Sequence, residues 1–396
     1  RFRLAEILNE FRDTGRGIIK KISDETGLER HQVSALLKND VQYLSLNSLG
    51  AICDYLINIH HMNVYELPGR LFALEPEDFW AFLSEKQSLV MSFGVRQELQ
   101  ETSILWVPAA DSFLQGTLLH ELYGTEPPPS PETANPISSP PFDQGPRFDQ
   151  YMVRSCSSQL NSSHSIRDGE FQQMKREATN AYEKFHSIAG NKVLICLGSV
   201  KSNGLCELVI AKGFSVDPWV SQDHTVSASQ RPCPFFIRFR EGDVNLPSCQ
   251  GGKQFHLDNC GDQHLDNTPG LYFERNPGEW DVVPSDENRE PALIFYSYHP
   301  PSGVVEIVMG GFSTEGTFLL AQHLRKIVPA IWPPEHITPS RETGVFVVDF
   351  QLKPQTNAND SPVTPSELQA TIRDVEKLEV IRLPEAVLKH RISQTD

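Results

Sequence analysis

The apolar spacing in residues 17–50, GIIKKISDETGLERHQVSALLKNDVQYLSLNSLG, constrains the fold more than any other stretch of the chain. Ile18, Ile19 and Ile22 make one face of a short helix, Gly27 permits a tight turn, and Val33, Leu36 and Leu37 repeat the periodicity in a second helix. Helices this short, joined by a glycine turn, bury their apolar faces by crossing steeply, which is helix-turn-helix geometry. Between its apolar positions the second helix presents Glu29, Arg30, His31, Gln32, Ser34 and Lys38. Such side chains bond to base edges or phosphates in a major groove. A plain helical hairpin in an all-α core has the same spacing, so the flanking segments decide between the two.

FRLAEILNEFRD precedes the motif as an amphipathic helix, and SLNSLGAICDYL follows it as another, with Ser45 placed to cap it. With its Val-x-x-Leu-Leu pattern and downstream apolar helix, GLERHQVSALLKNDVQYLSLNSLGAICDYL resembles the recognition-helix region of the lambda-repressor-like (Xre-type) DNA-binding family, over about residues 3–70. The resemblance implies a supporting helix at Ile18–Thr26 and a recognition helix at Leu28–Lys38. It implies that Arg30, His31 and Ser34 face bases, that Gln32, Lys38 and Gln42 lie nearer the backbone, and that a homodimer reads a double-stranded operator. One feature departs from the pattern. Through residue 45 the eight Lys/Arg (Arg1, Arg3, Arg12, Arg16, Lys20, Lys21, Arg30, Lys38) meet seven acids (Glu6, Glu10, Asp13, Asp24, Glu25, Glu29, Asp40), so the domain is not basic and attracts phosphates weakly.

The whole chain is acidic too, with formal net charge −16 over 396 residues, which argues against an enzyme that tracks a long nucleic-acid strand. Its length and 39% hydrophobic content suffice for two or three domains with substantial cores. No apolar run reaches the ~18 residues that span a membrane, and the first residues lack a signal-peptide core. Cys53, Cys156, Cys196, Cys206, Cys233, Cys249 and Cys260 are odd in number and scattered, which fits a reducing cytoplasm rather than a disulfide framework.

Residues 126–146, EPPPSPETANPISSPPFDQGP, are too rich in proline for helix or inner strand and read as a long surface loop. The segments on either side look like halves of one α/β domain. SLVMSFGV and NKVLICLG are strands apolar on both faces, GEFQQMKREATNAYEKFHSIAG and SNGLCELVIAKGF are helices, and PALIFYSYHP, VVEIVMGG and TEGTFLLAQHLRKI continue the alternation, with GVFVVDFQL as a last strand. This is the pattern of a mostly parallel, Rossmann-like sheet covered on both sides. The expected organisation is therefore a helix-turn-helix domain over 1–74, an α/β domain over 75–355 with a long loop region at 221–290, and a linker with an amphipathic helix over 356–396. Leu368, Ile372, Val375, Leu378 and Val380 carry the near-helical spacing of that last segment.

In such sheets ligands sit beyond the carboxyl ends of the strands, near helix N-termini. Gly198, Ser199, Lys201, Ser202 and Asn203 occupy one such turn; Gly310, Gly311, Ser313, Thr314, Gly316 and Thr317 occupy another; Gly94 with Arg96, and Asp111 with Ser112, add two more. Neither rich turn matches a Walker or G-x-G-x-x-G pattern, and each is also ordinary strand-to-helix capping chemistry. The paired turns look like those of Rossmann-like sensor domains behind helix-turn-helix domains in bacterial regulators. That resemblance implies a small polar ligand, a nucleotide or phosphorylated metabolite, held by Ser199, Ser202, Asn203 and Thr317, with Arg96 and Lys201 balancing its charge.

His256, Cys260 and His264 recur every fourth residue in KQFHLDNCGDQHLDN, but Gly261 and the Asp/Asn content favour a polar loop over a metal site. A second functional class stays open: Glu207, one turn into its helix, would serve an α/β enzyme hydrolysing nucleotides or glycosidic bonds, with the helix-turn-helix used for interaction or self-regulation. No catalytic residue is assigned, since the chain lacks a G-x-S-x-G elbow or a recognised nucleophile pattern. Turnover by the purified protein discriminates the enzyme from the regulator.

Overall fold

The computed structural model describes the chain apart from residues 1–3, 12, 14, 16, 39–42, 65–66, 68–70, 73–77, 98–104, 125–146, 156–167, 189, 221–230, 244–245, 254–267, 301, 333–335, 338–340, 354–371 and 394–396. Gln42, the Pro-rich segment 126–146, Leu368 and the trio His256, Cys260 and His264 thus lie outside the described residues. The chain divides into two compact units, residues 1–77 with 337–342, and residues 78–336 with 343–396.

The first unit is helical, with α1 (Leu4–Glu10), α2 (Ile18–Thr26), α3 (Arg30–Leu37) and α4 (Leu46–His60). Leu4, Ile7, Ile22, Val33, Leu36, Ile52 and Leu56 interlock in one buried core, so each helix contributes its apolar stripe and none is stable alone. Gly27 ends α2 at φ 71°, where its N–H donates to Ser23 O at 3.0 Å; a β-carbon is disfavoured in this left-handed geometry. Ser45 caps α4, its hydroxyl accepting from Ser48 N–H at 3.0 Å.

The second unit is built on a large mixed sheet. Its helices are α5 (Phe79–Ser84), α6 (Ala109–Tyr123), α7 (Asp168–Ser187), α8 (Gly204–Gly213), α9 (Thr314–Ile331) and α10 (Glu385–Ser393). Its strands are β1 (Ser88–Gln97), β2 (Leu105–Trp106), β3 (Arg147–Arg154), β4 (Lys192–Leu197), β5 (Phe235–Arg238), β6 (Gly251–Gly252), β7 (Gly270–Asn276), β8 (Glu279–Pro284), β9 (Arg289–His299), β10 (Val304–Gly311), β11 (Glu342–Leu352) and β12 (Val375–Arg382). The large sheet runs β12-β11-β9-β10-β4-β1-β3, with β2 on the far end of β1. Strands β3, β1, β4 and β10 are parallel.

All six residues of β4 are buried because helices cover both faces. Leu89, Met91, Phe93, Ile195 and Ile307 face Leu114 and Leu118 of α6 and Leu319 and Leu324 of α9. The alternate set Val90, Leu194, Cys196 and Val308 faces Met174 of α7, Leu205 and Leu208 of α8, and a second sheet. Helices following β1 and β10 therefore lie on one face and the helix following β4 on the other.

The expected mostly parallel, Rossmann-like sheet is not what the chain forms. β9 runs antiparallel to β10 and β12 antiparallel to β11. Residues 300–303, between β9 and β10, are far too few for a crossover, which needs a dozen or more. The stretch 221–290, read as loop, contains a four-stranded sheet, β6-β5-β7-β8, in which β7 pairs antiparallel with β5 and β8 and Phe235, Phe273 and Leu271 are buried. Its hairpin turn, Asn276-Pro277-Gly278-Glu279, places Gly278 at φ 84°. The C-terminal segment also departs from the expected helix: Val375, Leu378 and Val380 lie on β12, where Leu378 and Val380 follow the two-residue period with charged neighbours between them.

Helix α10 is anchored by a fully buried ion pair. Arg391 Nε donates to Glu274 Oε2 at 2.7 Å, Nη2 lies 2.5 Å from Oε1, and Nη1 donates to Arg231 O at 2.6 Å. Removing one partner strands the other charge in the core. Arg391→Ala should lose roughly 3–5 kcal/mol in urea unfolding, while the double replacement Arg391→Met/Glu274→Leu should lose far less.

Candidate functional site

In the first unit, α3 turns Val33 and Leu36 into the core and leaves Arg30, His31, Gln32 and Lys38 exposed and Ser34 half-buried. The helix start is held locally: Gln32 Oε1 accepts from Glu29 N–H at 3.2 Å, and His31 Nδ1 lies 3.0 Å from Glu29 Oε2. Lys21 is drawn into an ion pair with Asp13 at 2.7 Å, and Asp13 also accepts from Tyr55 Oη at 2.7 Å. The exposed Arg and Lys side chains of α3 and its C-cap are Arg30 and Lys38. Tyr43, between α3 and α4, and Leu46, the first residue of α4, are 91% and 84% exposed and escaped the sequence reading, because their apolar character suggests core.

In the second unit, strand register brings the predicted turns together. Leu197 pairs with both Phe93 and Met309, so Gly94, Gly198 and Gly310 follow in one row at the carboxyl edge. The backbones approach closely there: a β-carbon on Gly94 would stand 1.8 Å from Ser202 O, and one on Gly310 2.2 Å from Gly198 O. The two glycine-rich turns are thus neighbours. Behind them, Val200, Ile237, Leu271, Leu293, Val308 and Phe312 close in on a cavity of about 10 Å³, room for about one water molecule.

Several expected ligand contacts are engaged within the fold. Asn203 is fully buried: its Nδ2 donates to Leu197 O at 3.1 Å and Ser92 O at 3.3 Å, and its Oδ1 caps α8 by accepting from Leu205 N–H at 3.0 Å. Thr317 Oγ1 accepts from Gly311 N–H at 3.0 Å and donates to Ser313 O at 3.2 Å. Lys201 Nζ pairs with Asp243 at 2.9 Å and lies 4.1 Å from the centre of the Phe312 ring.

The N-terminus of α9 already holds an anion, and the chain supplies it. Glu290 Oε1 accepts from Ser313 N–H at 2.9 Å, and its Oε2 accepts from Ser285 Oγ at 2.6 Å. It also sits against Gly316, where a β-carbon would meet Oε1 at 2.9 Å. Ser313, Thr314 and Gly316 therefore frame a carboxylate from β9. No sequence pattern exposes this partner, which is 23 residues away in the chain.

Asp111 occupies the comparable place beside the β4 turn, but differently. It sits in the first turn of α6, is 4% exposed, and has an Oδ2 with no hydrogen-bond partner among the described residues. Burial pushes its carboxyl up to about 7, against the opposing pull of Arg96. Arg96 is exposed, with its guanidinium 5.3 Å from the ring centre of Trp106, which pairs with it across β1 and β2.

Glu207 is neither solvated nor open to a ligand. It is buried and accepts from Trp219 N–H at 3.0 Å, Cys249 N–H at 2.7 Å and Ser248 Oγ at 2.5 Å, tying α8 to the segment before β6. The hydrolase reading thereby loses its candidate carboxylate. A larger cleft of about 490 Å³ lies among Arg275, Arg289, Asp349, Glu376 and Glu379, but Arg289 is bonded to Asp349 and Arg275 to Asp281.

Residues 18–57, spanning α2, α3 and most of α4, match the Cro/C1-type HTH DNA-binding domain. No curated protein and no solved structure matches the chain. The chain thus carries a helix-turn-helix DNA-binding domain at its N-terminal end. Among the described residues no helix is long and apolar enough to cross a membrane, and no group of His, Cys, Asp and Glu could hold a metal ion.

Two stability measurements test the α/β edge. Asn203→Ala unpairs buried carbonyls and uncaps α8, so it should cost about 2–3 kcal/mol in chemical unfolding. For Asp111 the raised native value means that the folded state keeps a proton the unfolded chain releases. The stability so contributed is full below about 4 and is lost as pH rises to about 7. Asp111→Asn, neutral throughout, should therefore gain on the wild type between those limits and hold a constant lead above them in melts at pH 5 and pH 8.

Proposed function

We propose that the chain is a DNA-binding transcription regulator that reads an operator as a homodimer through α3, and whose α/β unit senses a small polar effector at the crevice beside Asp111. The observation that carries the first part is the Cro/C1-type match over a helix pair whose second member exposes Arg30, His31 and Gln32 at its N-terminal end. That end of a recognition helix is the part that reaches base edges. Because the domain is not basic, phosphate attraction is weak, and tight binding calls for two half-sites about 34 Å apart on one face of the duplex. Support for the second part is geometric: β1 and β4 are parallel neighbours whose following helices lie on opposite faces, which is where open α/β sheets hold ligands. A phosphate at the α9 turn is disfavoured by Glu290, so the effector reading rests on the Asp111 side of the edge.

Selection from random DNA with the purified protein tests the reading. It should return a two-fold symmetric site. Arg30→Ala should then weaken that site by about 1–3 kcal/mol and relax one position, whereas Lys38→Ala should weaken all sequences alike and reduce the salt slope by about 1. If no preferred sequence emerges at modest salt, the helix-turn-helix is an interaction module and the regulator reading fails.

A further inference from the structure

The large sheet ends in β3 on one side and β12 on the other, and the chain treats these two edges differently. Arg147 N–H donates to Gln87 O at 3.0 Å and Ser155 N–H to Val95 O at 2.8 Å, so the odd-numbered residues of β3 bond inward and the even-numbered ones turn outward. Carboxylates take two of those outward groups: Gln150 N–H donates to Asp149 Oδ1 and Arg154 N–H to Glu177 Oε2, each at 2.8 Å. An edge capped in this way resists the addition of another strand. On β12, Leu383 N–H donates to Val345 O at 3.0 Å, in the register that pairs Ile381 with Val347 and Glu379 with Asp349. Leu378 and Val380 therefore turn their N–H and C=O groups outward. Among the described residues no strand lies beside them there and no side chain caps them.

The side chains along this edge sort by face. Val375, Leu378 and Val380 are half-buried and pack on the side of α6 and α9. Their uneven spacing reflects the register shift that sets off Glu376 between Val375 and Lys377. On the opposite face Lys377 and Glu379 are exposed and pair with each other at 3.0 Å. We propose that β12 is the contact between two copies of this chain, the second copy's β12 adding antiparallel with the two-fold axis at Leu378. The proposal rests on the homodimer reading and supplies its interface.

Charge selects this register. A two-fold axis that makes neighbouring edge strands antiparallel stands perpendicular to the sheet, so residues placed opposite each other share a face. With the axis at Leu378, Lys377 meets Glu379 of the partner subunit and Glu379 meets Lys377 of the partner subunit. On the other face Leu378 meets Leu378 of the partner subunit, and Val380 meets Val375 of the partner subunit. Each Leu378 N–H then donates to the Leu378 C=O of the partner subunit. An axis at Glu379 would set two carboxylates against each other, and one at Val380 would set Glu379 against Ile381 and Lys377 against Leu383. Charges on an edge normally keep strands apart. Here their alternation in sign makes the edge complementary to itself. The contact is short and its ion pairs are exposed, so self-association is reversible and depends on concentration.

The test is sedimentation equilibrium of the full chain without DNA, over a range of concentrations. The wild type should pass from monomer to dimer. Lys377→Glu alone and Glu379→Lys alone should each weaken self-association by about tenfold, since two-fold symmetry counts every change twice. An equimolar mixture of these two variants should associate again, because the replaced charges meet their opposites across the axis. The pair within each strand is lost in both variants, so only pairing between copies accounts for that recovery. As a check that needs no variant, hydrogen exchange at Leu378 N–H should slow as the wild-type concentration rises, while that at Gln150 N–H, already bonded to Asp149, should not change. The proposal is overturned if the wild type does not associate, if either variant associates as the wild type does, if the mixture associates no better than its components, or if exchange at Leu378 is indifferent to concentration. Operator selection is read separately: a dimer through β12 that selects no DNA site upholds this interface and ends the regulator reading, whereas an operator-binding protein that fails these tests ends this interface alone.

Discussion

The close approach of backbones at the carboxyl ends of β1, β4 and β10 is the constraint on which the α/β unit depends. With 1.8 Å from a hypothetical β-carbon on Gly94 to Ser202 O, and 2.2 Å from one on Gly310 to Gly198 O, any side chain there would push a turn away. The turn after β4 would carry Asn203 with it, out of reach of Ser92 on β1 and Leu197 on β4. That amide clasps two strands while capping α8. Helix α8 in turn holds Glu207, whose carboxylate gathers Trp219, Ser248 and Cys249. A displacement at one glycine therefore reaches the second sheet through a chain of bonds in which every polar atom named is buried or half-buried, where a lost partner is not replaced by water.

Helix N-termini at such an edge are electropositive, and in many α/β proteins a ligand phosphate fills them. Here the chain fills the one at α9 itself. Glu290 reaches the start of α9 from β9, and because β9 is antiparallel to β10 its first residues lie beside the last residues of β10, as the pairing of Ala292 with Gly311 shows. The hairpin that breaks the Rossmann-like expectation is thus the device that delivers the internal anion. Burial raises the Glu290 carboxyl, while Ser285 and Ser313 lower it through hydrogen bonds. Asp111 has no such donors among the described residues, and that difference separates a carboxyl bonded within the fold from one buried without a hydrogen-bond donor.

What the sequence made legible follows the range of the interactions concerned. The helix-turn-helix was readable because its determinants are local: the Ile and Leu spacing, Gly27 at the turn and Ser45 at a cap all act within a few residues. The parallel centre of the sheet was readable because β4 is apolar on both faces. The hairpin from β9 to β10 was equally available from the four residues between them, but the rhythm of strands and helices elsewhere drew attention from loop length. In the second sheet, Pro, Gly and Asn at the turns masked short strands such as Phe235–Arg238, whose partners lie tens of residues away. The turns that carry the candidate ligand residues fall at strand ends, yet residue type and position could not tell Asn203 and Thr317, bonded within the fold, from Asp111, whose Oδ2 has no partner among the described residues. That distinction depends on register across strands far apart in the chain.

The charge distribution bears on how an effector would act. With net charge −16 overall and only Arg30 and Lys38 as exposed Arg or Lys side chains on α3 and its C-cap, the protein gains little from sequence-independent phosphate attraction. On the proposed reading, operator affinity would rest on base contacts and on the joint engagement of two half-sites, both sensitive to small changes in geometry. An effector alters such binding only by its preference between the DNA-competent and incompetent states; one that binds both equally shifts nothing. A preference of about 1.4 kcal/mol changes operator affinity by up to tenfold, so one well-placed effector contact would be of the right size for such a switch.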